Sequence, residues 1–176
     1  MLLYTIGDSF TYGAELDEPK KQAWPRLVAD RLGYKLVNLA KPGASNDYII
    51  RTTVEFLETR TPDIAIIAWT TPDRLEINEI QCTSNSHPDV FKTWDDQWAE
   101  NKFQTQVKLL DKYLAMPRRH RIAMPHYFVV GWGDPLNIPC YIGRLVEWAY
   151  DAPRGPGGHP LEEGHKLIAD EILKHI

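Results

Sequence analysis

The chain has 176 residues, enough for one domain with a proper core, and its 43% hydrophobic and 25% charged residues are ordinary for a globular protein. A net charge of −4, with Arg118-Arg119-His120-Arg121 as the densest basic run, offers no footing for DNA or RNA. Two cysteines, Cys82 and Cys140, exclude a disulfide framework or paired-cysteine metal site, and no apolar run reaches membrane-span length. The first residues enter an apolar run with no basic region ahead of it, so no signal peptide and a cytoplasmic location are expected.

Residues 2–6 (LLYTI) predict a buried strand running into a tight turn at Gly7-Asp8-Ser9. Trp24, Leu27, Val28 and Leu32 stand at helical spacing and predict a helix over 23–32, stopped by Gly33. A second strand is expected over 35–39, followed by a Pro42-Gly43 turn and a helix over 47–59 that carries Ile49, Ile50, Val54 and Leu57. Residues 63–69 (DIAIIAW) are apolar almost throughout, as in a strand covered on both faces.

Residues 73–96 lose the pattern and predict a long irregular segment of the kind that forms lids or binding loops. A helix over 97–116 and a strand over 121–131 follow. Residues 132–158 are rich in Gly and Pro, with a short helix expected over 142–148. The final helix is expected over 160–175, with Pro160 and Glu162-Glu163 in its first turn and Leu161, His165, Ile168 and Ile172 on one stripe. His165 on that stripe reads as a packing residue. Strand and helix alternate without a repeat or linker, so residues 1–176 read as one three-layer α/β/α domain with a parallel central sheet.

Ligands in such sheets bind beyond the carboxyl ends of the strands. Asp8-Ser9, Gly43 to Asn46, and Thr70-Thr71 all follow predicted strands and are therefore expected at one rim. A serine directly after a buried strand has an exposed hydroxyl and a backbone N–H aimed at the crevice, which suits a nucleophile. The bland alternative is that Asp8 or Ser9 simply caps a turn. His159, after Gly157-Gly158, is placed to face the same rim as a general base.

Gly7-Asp8-Ser9-Phe10, the segment Asn38 to Asn46 (NLAKPGASN) and His159-Pro160, in that order across essentially the whole chain, resemble the SGNH (GDSL-like) hydrolase family. The resemblance implies a flavodoxin-like fold and carboxylic ester hydrolysis, with Ser9 as nucleophile and His159 as base. The N–H groups of Ser9 and Gly43 would serve as oxyanion donors. It implies a small acyl ester as substrate, an acetylated carbohydrate among the candidates, and no cofactor; the scattered His87, His120 and His126 show no metal-ligand spacing, so no metal is expected either, nor a nucleic-acid or membrane partner.

Two departures stand out. The family's Asp three residues before the histidine is here Pro156, so a backbone carbonyl or Asp151 is expected to orient the imidazole. The family's third-block asparagine is also missing from Trp69-Thr70-Thr71, leaving the hydroxyl of Thr70 or Thr71, or the Asn46 amide, as the remaining oxyanion donor, with Asn46 and Thr71 ahead. Asp8 and Arg74 are candidates to bind substrate, with a salt bridge as the alternative for Arg74. Glu15, Asp17 and Glu18 read as a solvated acidic loop. Trp69, Trp94, Trp98, Trp132, Trp148, Tyr127 and Tyr141 divide between core and a wall for a sugar or acyl group. A scaffold that binds a glycan or protein without catalysis is the rival, since it would tolerate both departures. A nucleotide binder is disfavoured because no glycine-rich phosphate loop follows the first strand.

Overall fold

A computed structural model describes residues 1–116, 124–131 and 134–176. Its central sheet has five strands: β1 (Leu2–Ile6), β2 (Lys35–Asn38), β3 (Ile64–Trp69), β6 (His126–Val130) and β7 (Tyr141–Arg144). All pair in parallel in the order β2-β1-β3-β6-β7, the flavodoxin-like winding. Between β3 and β6 a small hairpin stands apart, β4 (Leu75–Ile77) with β5 (Ile80–Cys82).

Alternation along each strand divides the apolar residues between two cores. Tyr4, Ile6, Ala65, Ile67, Trp69, Phe128 and Val130 pack on one face against α4 (Asn46–Thr59) and α5 (Asp96–Ala115). Leu3, Ile66, Ala68 and Val129 pack on the other face against α3 (Trp24–Leu32), α6 (Leu145–Trp148) and α7 (Glu162–Ile172). The unbroken apolar run of β3 follows from this, because each of its faces is covered by helices. Two one-turn helices lie at the rim, α1 (Ser9–Tyr12) and α2 (Pro19–Gln22).

Three expectations need correction. Residues 142–148 are not one helix: β7 occupies Tyr141–Arg144 and α6 begins only at Leu145. Gly143 permits the tight corner, for a Cβ there would lie 2.2 Å from the Trp148 ring. Residues 73–96 are not irregular throughout, since β4 and β5 turn through Asn78 and Glu79, both at positive φ, the geometry of a two-residue hairpin loop. Its strands have three residues each, too few to show an alternating pattern. The last helix starts at Glu162 rather than at 160, because Pro160 bridges back to Arg154. The basic run 118–121, Trp132 and the first part of the strand expected over 121–131 lie outside the described residues. No helix among the described residues is long and apolar enough to cross a membrane.

Candidate active site

The carboxyl ends of β2, β1 and β3 lie side by side, and hydrogen bonds lace together the loops that leave them. Lys41 N donates to Gly7 O at 3.1 Å, and the Asn38 amide donates to Thr11 O at 3.2 Å. These bonds seat the loop after β2 on the loop after β1. Asn46 joins that assembly to β3: its Oδ1 accepts from Thr70 N at 3.0 Å while its Nδ2 donates to Thr70 O at 3.0 Å.

Asp8 is the buried knot of the rim, at 2% exposure. Its Oδ1 accepts from Phe10 N at 3.0 Å, capping α1. Its Oδ2 accepts from Thr70 Oγ1 at 2.8 Å and from Arg74 at 3.3 Å. Both oxygens are therefore occupied by protein donors, which tie the turn to Thr70 after β3 and to Arg74. Arg74 takes the salt-bridge role, to Asp8, and also donates to Ala44 O at 3.4 Å. Ser9, the first residue of α1, is half-buried, and its hydroxyl forms no hydrogen bond among the described residues.

His159 is held by Glu15. Nδ1 of the imidazole lies 2.8 Å from Glu15 Oε2, the same oxygen accepts from His159 N at 3.1 Å, and Oε1 accepts from Gly157 N at 2.6 Å. A carboxylate can only accept here, so Nδ1 carries the proton and Nε2 keeps a lone pair for a proton from elsewhere. The loop 154–160 closes on itself through Gly155 N to His159 O at 2.9 Å. A Cβ on Gly155 would stand 2.7 Å from the Glu15 carboxyl carbon, and one on Gly157 3.2 Å from its oxygens. The glycines of this loop thus leave room for the carboxylate. Glu15 itself sits at φ 68, a conformation that costs a non-glycine residue about 1 kcal/mol or more and that three hydrogen bonds hold in place. Those bonds, the one from Gly157 N foremost, keep the Glu15 carboxyl below its ordinary pKa. The Phe10 ring, next to Ser9 in the chain, lies 5.5 Å from the His159 ring.

Asp151, expected to orient the imidazole, is exposed and makes no hydrogen bond to His159; Glu15 occupies that place. Two sequence features point toward such a partner, the absence of an Asp before His159 and the glycines beside it. Neither names a residue 144 positions away.

Gly43 adopts φ 73 in the loop after β2, with nothing within 4 Å of where a Cβ would stand. Of the two leading side-chain candidates for the third oxyanion donor, Asn46 is 3% exposed and spends its amide on Thr70 and Thr71. Thr71 is half-buried, with no hydrogen bond to its hydroxyl among the described residues. The hairpin β4–β5 leans on this loop, since Gln81 Oε1 accepts from Ser45 N at 2.7 Å and Glu76 pairs with Arg51 at 2.6 Å. Beyond Arg74, a groove of about 280 Å³ is lined by Leu75, Val90, Thr93, Trp94, Asp95 and Trp98, and Trp98 is 51% exposed. Trp69 belongs to the core instead.

His165 is fully buried, as its place on the apolar stripe implies. Its Nδ1 accepts from Trp24 N at 3.2 Å, and burial pushes its pKa down to about 4. At the amino end of the sheet, far from these loops, Asp111, His126 and Cys140 bring three potential ligand atoms within 4.8 Å of one another. The sequence did not disclose that cluster, because its members come from separate elements.

No family model matches the sequence, nor does any curated protein. Solved structures do match over nearly its whole length. An esterase, EstA from Pseudoalteromonas sp., superposes with a TM-score of 0.61 at 14% identity, over 98% of this chain and 94% of that one. A lipolytic protein of the G-D-S-L family from Veillonella parvula gives 0.61 at 15% identity, over 100% and 98%. A family two carbohydrate esterase from Clostridium thermocellum, in complex with cellohexaose, gives 0.60 at 16% identity, over 99% and 63%. The chain therefore has the SGNH-hydrolase-like α/β/α fold.

Proposed function

We propose that this protein is a serine esterase of the SGNH type, with Ser9 as nucleophile, His159 as general base and Glu15 as the residue that positions the base. The observation carrying this reading is the 2.8 Å bond from His159 Nδ1 to Glu15, which fixes the basic tautomer at Nε2. Ser9 attacks an acyl carbonyl as Nε2 takes its proton. The N–H groups of Ser9 and Gly43 hold the oxyanion, with the free hydroxyl of Thr71 as third donor. His159 then protonates the departing alkoxide, and water, activated by the same nitrogen, releases the acyl group from Ser9. The substrate is a small acyl ester. The carbohydrate esterases among the similar folds, and the exposed Trp94–Trp98 groove, favour an acetylated saccharide.

A fluorophosphonate probe tests the assignment. Ser9 should be labelled in the wild-type protein, and the label should vanish in Ser9→Ala and fall sharply in His159→Ala. Hydrolysis of a p-nitrophenyl ester should drop by about a thousand-fold or more in either variant.

One observation favours the rival reading of a catalytically impaired glycan- or protein-binding module. The Asn46 amide is committed to β3, and losing one oxyanion donor typically slows such enzymes about 100- to 1000-fold. A folded wild-type protein that resists the probe yet binds cello-oligosaccharides would establish that reading instead.

A further inference from the structure

We infer that Asp111, His126 and Cys140 form a binding site for one divalent transition-metal ion of the zinc type, at the end of the sheet opposite the Ser9 rim. The inference is independent of the esterase reading. Asp111 lies on α5 near its C-terminus, His126 opens β6, and Cys140 directly precedes β7. Because α5 runs against the strands, all three meet at the strands' amino ends.

His126 Nε2 lies 3.0 Å from Asp111 Oδ1, and Cys140 Sγ lies 3.2 Å from the same oxygen. In a tetrahedral zinc site, bonds of about 2.0–2.3 Å place neighbouring ligand atoms roughly 3.3–3.7 Å apart. An ion entering the cluster would lengthen the two separations from Asp111 Oδ1 by only a few tenths of an ångström, with all three ligand atoms already within 4.8 Å of one another.

The histidine is also oriented as a ligand. His126 Nδ1 lies 3.0 Å from Met124 O, and a carbonyl can only accept, so Nδ1 carries a proton. That is the outer hydrogen bond which normally aims a metal-binding imidazole. Nε2 faces the carboxylate oxygen at 3.0 Å, and a proton or a metal ion stands between two such atoms. A proton could fill that place for the His–Asp pair alone. On the third side the Cys140 thiol donates to the same Asp111 oxygen, and a zinc-type ion would take the place of that thiol proton and bind the sulfur.

The donor set is chemically selective. One imidazole nitrogen, one sulfur and one carboxylate oxygen suit zinc or cobalt, whereas calcium and magnesium favour oxygen donors throughout. A thiolate and a carboxylate together neutralise a divalent ion, and the thiol proton passes to solvent on binding. All three residues are half-buried, which leaves a fourth position for water. The ion would tie the end of α5 to the starts of β6 and β7.

The test uses the full chain, stripped with a chelator and titrated with cobalt(II) alone. The expected result is one equivalent bound, with visible bands of tetrahedral intensity and a thiolate-to-cobalt charge-transfer band that zinc abolishes. Zinc at about a hundred times its dissociation constant should raise Tm by roughly 5–10 °C. Cys140→Ser should lose the charge-transfer band and most of the Tm response, while Cys82→Ser keeps both. Cobalt that binds without a sulfur band would overturn the site. So would a zinc response of equal size in wild type and Cys140→Ser.

Discussion

Two histidines among the described residues face a carboxylate at hydrogen-bond distance, but they do so with opposite nitrogens. At the rim, His159 gives Nδ1 to Glu15, which leaves Nε2 as the ring's other nitrogen for a proton. At the base of the sheet, His126 gives Nδ1 to Met124 O and turns Nε2 onto Asp111. The carboxylate stands behind the ring in the first case and in front of it in the second. A histidine backed by an acid is prepared to take a proton from a neighbour. One backed by a carbonyl, with an acid and a thiol before it, is prepared to share a ligand. Residue type and partner type are nearly the same in both, so what separates the two regions is which nitrogen is already spent.

The largest effect that could break this comparison is at Glu15. Glu15→Gln preserves shape but removes the charge behind His159, and kcat should fall by about a hundred- to ten-thousand-fold with little change in KM. Steady-state kinetics on a p-nitrophenyl ester would read this, and unchanged kcat would remove Glu15 from the mechanism. The same variant should alter stability in acid. Because the carboxyl is held below its ordinary value of 4.5, its contribution is present above that pH and lost as pH falls through the lowered value. The acid limb of urea midpoints against pH should therefore be shallower in Glu15→Gln.

Gly155→Ala is a gentler test of the same arrangement. The new methyl group would press on the Glu15 carboxyl, and displacing the acid by a fraction of an ångström should slow turnover by about ten- to a hundred-fold. Wild-type rates in this variant would mean that the glycines are not there for Glu15.

His165 sharpens the contrast as a histidine with no carboxylate partner among the described residues. Burial lowers its pKa from 6.5 to about 4, so the folded state resists protonation that the unfolded chain accepts. Its stabilising contribution is complete above pH 6.5 and is lost as pH falls toward 4, by roughly 3 kcal/mol over that range. His165→Gln, which keeps an acceptor for Trp24 N, should flatten that part of the curve. The smallest expected effect is at Asp151, where exchange for Asn should leave kcat and KM within about two-fold of wild type.

Much of the fold was legible because buried parallel strands advertise themselves. Residues 64–69 could be little else, and Gly33 marked the end of α3 at φ 67. β7 was hidden because Gly143 interrupts it and a helix follows without a gap. The hairpin lacked the glycine that usually betrays a two-residue turn. At the candidate site, Ser9, Gly43 and His159 of the proposed mechanism stand out by their neighbours in the chain. Glu15 could not: it sits in an acidic stretch that looks solvated, its φ is one that glycine would favour, and its contact with His159 is purely tertiary. Asn46 was legible as a residue but not as a role, since its burial against Thr70 depends on how two loops meet.

The Glu15–His159 bond spans 144 residues, and this has a bearing on synthesis. While a ribosome is still translating the region of α5, the turn at Ser9 can already be formed, yet His159, the base of the proposed mechanism, has not been made. On the proposed mechanism, competence arrives only when the loop before α7 emerges and seats itself on Glu15, made well before it. Under that mechanism the nascent chain stays silent until these two distant parts have met, and a chain truncated before that loop is expected to be inert toward esters however well its sheet has formed.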